Sequence, residues 1–580
     1  MRPRLTPFRW RPGRERRDLW WFALIALVVL GAGLGLREPW PADEPRFALV
    51  GYDMARSGEW FLPQVAGVLY PDKPPVFMWL IGLFYLATGS LRIAFLLPSL
   101  LAGLGTLWLV YDLGRRLWNP RIGLAGAALL LVTVQFALQA RIAQIDALVT
   151  FLVTLGAYGL MRHLLLGPSW GWYALGGLAA GVGIITKGVG FLALLVLLPW
   201  AFAASQGWPR LQPLGRDPRF ALAPLAMLLA VAAWVVPMLL VVGASGDPAH
   251  LAYRDDILFR QTGERYAAAW HHHNPPWFYL VEVIPPFWLP LALLLPWLVP
   301  AWWRRLRRHD ARYLLPLGTA LLILLFFSAS PGKRGVYILP MLPLVALSSA
   351  PLLPALLRRL AVQRLGALAL MLSSVALLVF PLLPKYHALA ARYEIDAAIL
   401  FYALGGTGLA WLLWSAIGTR LAQGMVAFAG FLATLWVVYG VVGHPLLDPA
   451  RSASALMGTV RAAVPAGAEL GLVDWEEQFV LQAGRPILHF GFRRHGKPDE
   501  VDDALRWQAA APGRWLMVPA PKDGACIIAA RAADLGFRSR RRWLAVGPEA
   551  ITAECRVRLA AAGPPAAAIP WSPGPDRSRP

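Results

Sequence analysis

Two short stretches hold the residue types best suited to chemistry. Asp43-Glu44-Pro45-Arg46-Phe47 sets two carboxylates side by side, and Tyr70-Pro71-Asp72-Lys73-Pro74-Pro75 holds a lysine in a proline-stiffened backbone. Both follow the first apolar run of a chain that otherwise reads as membrane. There each ionisable group carries a solvation cost and is a functional hypothesis by default. A carboxylate pair and a lysine beside a bilayer point to chemistry on an anionic, lipid-linked substrate. Helix capping is the competing account of the acids, because Asp followed by Pro45 starts a helix well. It weighs more for Glu44 than for Asp43.

Further polar residues recur at the ends of apolar runs. Asp146, in Arg141-Ile142-Ala143-Gln144-Ile145-Asp146, enters an apolar helix and is expected on the same face as Asp43. Two such carboxylates could share a general-base or acceptor-orienting task. Lys73 could hold a phosphate as a point charge, with snorkelling to lipid headgroups as the alternative. Lys333-Arg334 forms a second cationic knot, and Lys187, in Thr186-Lys187-Gly188, a third case of the same kind. The run Trp270-His271-His272-His273-Asn274 could ligate metal, although adjacent histidines cannot all point one way.

The elements that must position these groups are helices in a membrane. The chain has 580 residues, 57% hydrophobic and 15% charged, with a mean hydropathy of +0.52. A soluble domain carries ~25% charged residues. Apolar runs near the ~20 residues that cross a bilayer number about thirteen. They fall at 19–36, 93–113, 121–138, 145–165, 171–186, 188–204, 219–243, 277–301, 313–328, 336–357, 365–384, 397–417 and 424–443. The basic N-terminus ahead of 19–36 resembles a signal sequence, read here as an uncleaved first helix. The net charge of +22 is clustered in arginine runs between spans. Topology explains it better than nucleic-acid binding does, because cytoplasmic loops are enriched in Lys and Arg.

With the N-terminus inside, Arg115-Arg116, Arg162, Arg210, Arg304-Arg305, Arg358-Arg359 and Arg420 share one side. This requires that 76–90, short and opening with Pro74-Pro75, lie in the interface and not cross. The loops 37–91, 139–144, 244–276, 329–335 and 385–396 are then external. Residues 1–445 form the transmembrane part.

From 446 to 562 the composition changes, and short β-rich runs (469–475, 486–492, 514–518, 542–546) alternate with helical patterns (454–463, 501–510, 529–535). That is the signature of a small α/β domain, external if the span count is odd. The Pro- and Ala-rich residues 563–580 read as a disordered tail. Cys526 and Cys555 lie in this domain, where a disulfide and two unpaired thiols remain equal alternatives. The transmembrane half has no phosphate-binding glycine loop, dinucleotide fingerprint or zinc-protease motif, which argues against an ATP-driven pump.

Taken in order, Asp43-Glu44-Pro45-Arg46-Phe47, Ser57-Gly58-Glu59-Trp60 and Tyr70-Pro71-Asp72-Lys73-Pro74-Pro75 resemble the first outer loop of bacterial lipid A aminoarabinose transferases. The wider group is the protein O-mannosyltransferase-like, C-type (GT-C) membrane glycosyltransferases. Thr186-Lys187-Gly188, His272-Asn274-Pro275-Trp277-Tyr279 and Phe326-Phe327-Ser328 through Lys333-Tyr337-Leu339-Pro340 are similar to later signatures of that family.

The resemblance implies a polytopic α-helical membrane protein of GT-C type with a small C-terminal α/β domain, using a lipid-phosphate sugar donor outside the cytoplasm. It makes Asp43 the essential first-loop aspartate and Asp146 the second. Lys73 and Tyr70 then lie near the donor phosphate, and Tyr337 belongs to the active cavity. Asp72 stands where these enzymes usually carry glutamate, and with His272 it implies a structural divalent metal; no other cofactor is expected.

The expected activity is inverting transfer of a sugar from a polyprenyl-phosphate donor to lipid A or another envelope acceptor at the outer face of the bacterial inner membrane. Lys73, aided by Lys333 or Arg334, would stabilise the leaving phosphate. Glu44 and Lys187 are supporting residues. A protein O-mannosyltransferase-like enzyme is the nearest alternative. A flippase of lipid-linked sugars would need paired discontinuous helices in repeated halves, which the sequence lacks. No nucleic acid is expected among the partners, which are the donor, the acceptor and membrane lipids.

Overall fold

The computed structural model describes residues 15–209, 211–212, 217–259, 273–393, 395–417, 423–492, 498–520, 526–538, 541–561, 563 and 567–574. The protein is a polytopic α-helical membrane protein. Among the described residues eight helices are long and apolar enough to cross a bilayer. Nine result if Tyr279–Phe287 and Leu291–Leu306, bent by 117° at their break, form one span. Several runs that look continuous in sequence are interrupted. The run 121–138 splits at Thr133 into Pro120–Val132 and Val134–Gln139.

Helix α1 (Glu15–Gly31) leads into the segment that carries Asp43. Helix α2 (Glu44–Ser57) follows directly, with Pro45 in its first turn, where the missing N–H costs nothing. A two-stranded hairpin, β1 (Gln64–Val65) with β2 (Val68–Leu69), precedes helix α3 (Val76–Thr88). At 13 residues, α3 is about 20 Å long against a hydrocarbon core of ~30 Å, so it cannot span alone. It packs tightly on α2 at Gly51, where a methyl group would lie 2.9 Å from the Met78 carbonyl oxygen.

A buried ionic network fixes the start of α2. Arg37 makes a two-pronged bond to Glu44, at 2.5 and 2.7 Å, and both side chains are buried. Glu44 also accepts from the N–H groups of Trp40 and Ala143, at 2.8 and 2.9 Å. Arg141 donates to the carbonyls of Val29 and Ala32. Asp448 accepts from Glu38 N and Trp40 Nε1, each at 2.8 Å. The Asp43 segment is thereby tied to α1, to the entry of the helix Ile145–Leu166, and to a helix near residue 448.

The helical path runs past 445 to Arg451 and turns at Ala453 before the helix Ser454–Ala463. Beyond it, among the described residues, lies a six-stranded sheet in the order Ala533–Arg538, Arg541–Val546, Arg514–Pro519, Glu469–Leu472, Ile487–His489 and Ile569–Trp571. Strand β3 (Glu469–Leu472) runs parallel to β4 (Ile487–His489) and β5 (Arg514–Pro519). Strands β6 (Ala533–Arg538) and β7 (Arg541–Val546) add antiparallel at one side, and β8 (Ile569–Trp571) at the other.

Two expectations fail here. Residues 529–535 form a short 3-10 turn and the start of β6, not a helix, because pairing with β7 overrides alanine's helical preference. The stretch 563–580 is not disordered throughout, since Ile569–Trp571 closes the sheet against β4. Cys526 and Cys555 form a disulfide, with Cα atoms 5.5 Å apart.

Candidate active site

Asp43 occupies the N-cap position of α2 but makes no side-chain capping bond. Its Oδ2 instead accepts from Arg334 Nη2 at 3.0 Å and from Gln144 Nε2 at 3.2 Å. The capping account of this aspartate therefore fails. Burial alone would raise its pKa. The charge and hydrogen bond of Arg334, with the charges of Arg46 and Lys187, outweigh burial and hold the carboxyl below its ordinary 3.8.

Asp146 lies in the first turn of Ile145–Leu166, whose N-cap position is held by Gln144. Its Oδ1 pairs with Lys187 Nζ at 2.5 Å, both side chains being 13% exposed. Lys187 is the last residue of the helix Trp170–Lys187, which stops because Gly188 adopts φ 80° and returns its N–H to Ile184. A cation there also suits the negative end of the helix. The same ammonium lies 4.6 Å from the centre of the Tyr337 ring, and Arg334 feels the charge of Asp146 as well as that of Asp43. Five of the sequence candidates, Asp43, Asp146, Lys187, Arg334 and Tyr337, thus form one cluster drawn from four separate stretches.

Arg334 and Tyr337 are placed by a turn that Gln135 holds. Gln135 donates to the Gly335 carbonyl and accepts from Trp288 Nε1, each at 2.7 Å.

Other candidates are placed differently. Lys333 is only 3% exposed, and its ammonium donates to the carbonyls of Asn274 and Ser330 at 2.8 and 2.5 Å. It fastens the 273–274 backbone to the 330–333 turn. Glu44 serves the Arg37 anchor and is structural. Tyr70 is 1% exposed and lies close enough to Arg46 to interact with its charge. Asp72 and Lys73 are half-buried in the turn ahead of α3. His272 lies outside the described residues, and among those described no group of three or more His, Cys, Asp or Glu side chains could hold a metal.

Sequence reasoning gave no role to Gln144, although it stands two residues before Asp146, or to Arg46, one turn beyond Asp43. Nor did it find Glu477, whose carboxylate meets Arg46 Nε at 2.5 Å.

Residues 72–238 match the family described as dolichyl-phosphate-mannose-protein mannosyltransferase. The undecaprenyl phosphate-alpha-4-amino-4-deoxy-L-arabinose arabinosyl transferase of Pseudomonas aeruginosa (strain UCBPP-PA14) is 31% identical over 443 residues, 74% of this chain and 76% of that protein. The chain belongs to this arabinosyl transferase family. A second member, transferase 1 of Pseudomonas fluorescens Pf-5, is 32% identical over 338 residues, covering 56% of this chain but only 58% of the relative. The fold agrees with the crystal structure of ArnT from Cupriavidus metallidurans bound to undecaprenyl phosphate. The TM-score is 0.73 at 20% identity, over 91% of this chain and 98% of that one. Family membership carries glycosyl transfer as the reaction class and a multi-pass membrane setting.

Proposed function

We propose that this arabinosyl transferase homologue moves a sugar, aminoarabinose by analogy with its relatives, from a polyprenyl-phosphate donor to lipid A at the outer face of the inner membrane. The carrying observation is the cluster of Asp43 with Arg334 and Asp146 with Lys187. It offers paired carboxylates and cations in one place, as a displacement between two phosphate-bearing lipids requires. In the reaction the bond from the anomeric carbon to the donor phosphate oxygen breaks, and its electron pair leaves with polyprenyl phosphate. An acceptor oxygen forms the new bond from the opposite face, which inverts the anomeric centre. Lys73 stabilises the leaving phosphate, and Asp43 orients the acceptor through Arg334, the cation it holds in place.

The electrostatics of Asp43 favour a phosphate acceptor over a hydroxyl. A general base works best with a pKa near the operating pH, whereas Asp43 is held below 3.8. A lipid A phosphate is already anionic, needs no base, and could be steered by Arg334 and Arg46. Serine, threonine or sugar hydroxyls would have to surrender a proton to a poor acceptor.

The test is incubation of purified protein with a panel of polyprenyl-phosphate sugars and lipid A, read by mass spectrometry of both lipids. Lipid A gaining one sugar, with release of polyprenyl phosphate, is the expected result. Donor that crosses a vesicle bilayer uncleaved would replace the transferase with a flippase.

A further inference from the structure

Arg46 is gripped by a residue far along the chain. Its Nε donates to Glu477 Oε1, 431 residues away in sequence, and Glu477 is itself 7% exposed. Glu477 opens the short helix Glu477–Gln482 that follows β3 in the sheet domain. Apart from Glu477, Arg46 interacts electrostatically with Tyr70 and Asp43. It is therefore a cation shared between the sheet domain and the site.

Other contacts from the domain to this region lie elsewhere. Trp571 Nε1 donates to Asp53 at 2.9 Å, Arg56 donates to the Ser572 carbonyl at 2.5 Å, and Gly574 N donates to the Tyr52 hydroxyl at 2.9 Å. His489 Nε2 meets the Ala66 carbonyl at 2.8 Å. Tyr52, Asp53 and Arg56 all belong to the second half of α2, whereas Arg46 is in its first turn. The domain thus holds α2 at both ends, and Glu477 is its grip on the end beside Asp43.

We infer that Glu477 is a positioning residue for glycosyl transfer: the sheet domain uses it to hold the Arg46 guanidinium beside Asp43 while keeping it from closing on that carboxylate. This rests on the reading of Asp43 as the acceptor-orienting group. Asp43 already has one guanidinium partner in Arg334. An Arg46 released from Glu477 would be drawn toward Asp43, a carboxylate whose charge it already feels. An Arg46 closed on that carboxylate would no longer stand where it can steer the anionic acceptor. Small misplacements of such groups cost large factors in rate.

The experiment is a double-mutant cycle on the full-length enzyme, with donor and acceptor kinetics measured separately and thermal unfolding alongside. Glu477→Gln should lower acceptor kcat/KM roughly tenfold while the donor KM stays put, and Glu477→Asp should recover part of the loss. In an Arg46→Gln background, Glu477→Gln should add nothing, because the group it positions is gone. Trp571→Phe, which loosens the other end of the domain contact, should lower the melting temperature without that acceptor-specific loss.

Independent, multiplying effects of Arg46→Gln and Glu477→Gln would overturn the inference. So would equal losses from Glu477→Gln and Trp571→Phe, since that marks a docking role only. Asp43→Asn is assayed in parallel. If it stays active, the acceptor-orienting reading itself falls; if it is inactive while the cycle is additive, only the role of Glu477 falls.

Discussion

Arg334 Nη2 stands 3.0 Å from Asp43 Oδ2 across 291 residues of sequence. The pair explains how a half-buried carboxylate stays ionised beside a membrane. Burial pushes Asp43 up, and Arg334 supplies the largest opposing effect. Replacing Arg334 with Ala leaves burial less opposed, so the pKa of Asp43 must rise. Because the required form is ionised, activity is lost as pH falls through that pKa. The wild-type enzyme should show no acid limb from Asp43 above pH about 4. Arg334→Ala should show one at higher pH, on top of a lower plateau. Asp43→Asn should lose at least ~100-fold in turnover at every pH. A pH series of kcat/KM on all three proteins checks this, and superimposable normalised profiles for wild type and Arg334→Ala would refute it.

Lys73 lies between Asp72 and Pro74 in the turn ahead of α3. If its charge meets the donor phosphate, Lys73→Ala should raise the apparent KM for the polyprenyl-phosphate sugar by roughly tenfold or more, with the acceptor KM near wild type. Lys73→Arg should rescue only in part, since a planar guanidinium and a compact ammonium present charge differently. Initial rates with each substrate varied in turn decide the matter. A defect confined to the acceptor would place Lys73 elsewhere.

The cluster is legible in sequence where ions stand against the membrane's preference. Asp43, Asp146, Lys187 and Arg334 each sit at the end of an apolar run, and burying them without partners would be costly. Lys333 meets the same criterion, yet its ammonium donates to two backbone carbonyls, which an ammonium can do as readily as it holds a phosphate. Sequence does not distinguish those uses. Glu477 escaped notice because its significance depends on a contact made 431 residues away. Strand β8 is hidden by its proline-rich surroundings, and Ile569–Trp571 becomes a strand by pairing with β4. Helices were easier to read than the sheet, since a span is a local property and a strand is not.

The Cys526–Cys555 disulfide fastens residue 526 to the helix Ala553–Ala561, closing a loop with a sequence separation of 29. Loop-closure entropy for such a link amounts to roughly 3–4 kcal/mol. Cys555→Ser should therefore lower the unfolding temperature of the sheet domain by several degrees. Neither cysteine touches the cluster around Asp43 among the described contacts, so turnover well below that temperature should persist. Calorimetry with and without reductant, paired with activity at low temperature, tests both halves. Loss of turnover with unchanged melting would be the wrong result.

Asp53 offers a test of how the sheet domain is seated on α2. Its two oxygens accept from Trp571 Nε1 and Ala66 N, each at 2.9 Å. Burial pushes its pKa from 3.8 up to about 6, against those two bonds and the charge of Arg56. A raised carboxyl pKa stabilises the folded form when protonated. The contribution is full below the unfolded value of 3.8 and is lost as pH rises through about 6. His489, at the same interface, works the other way. Burial holds its imidazole below 6.5, so it costs stability as pH falls. The wild-type curve is a sum of the two, and the difference between wild type and Asp53→Asn isolates the carboxyl. Relative to Asp53→Asn, the wild-type protein should gain melting temperature as pH falls from about 7 to about 5. Parallel curves over that window would mean that Asp53 does not titrate between the folded and unfolded states as its buried setting requires.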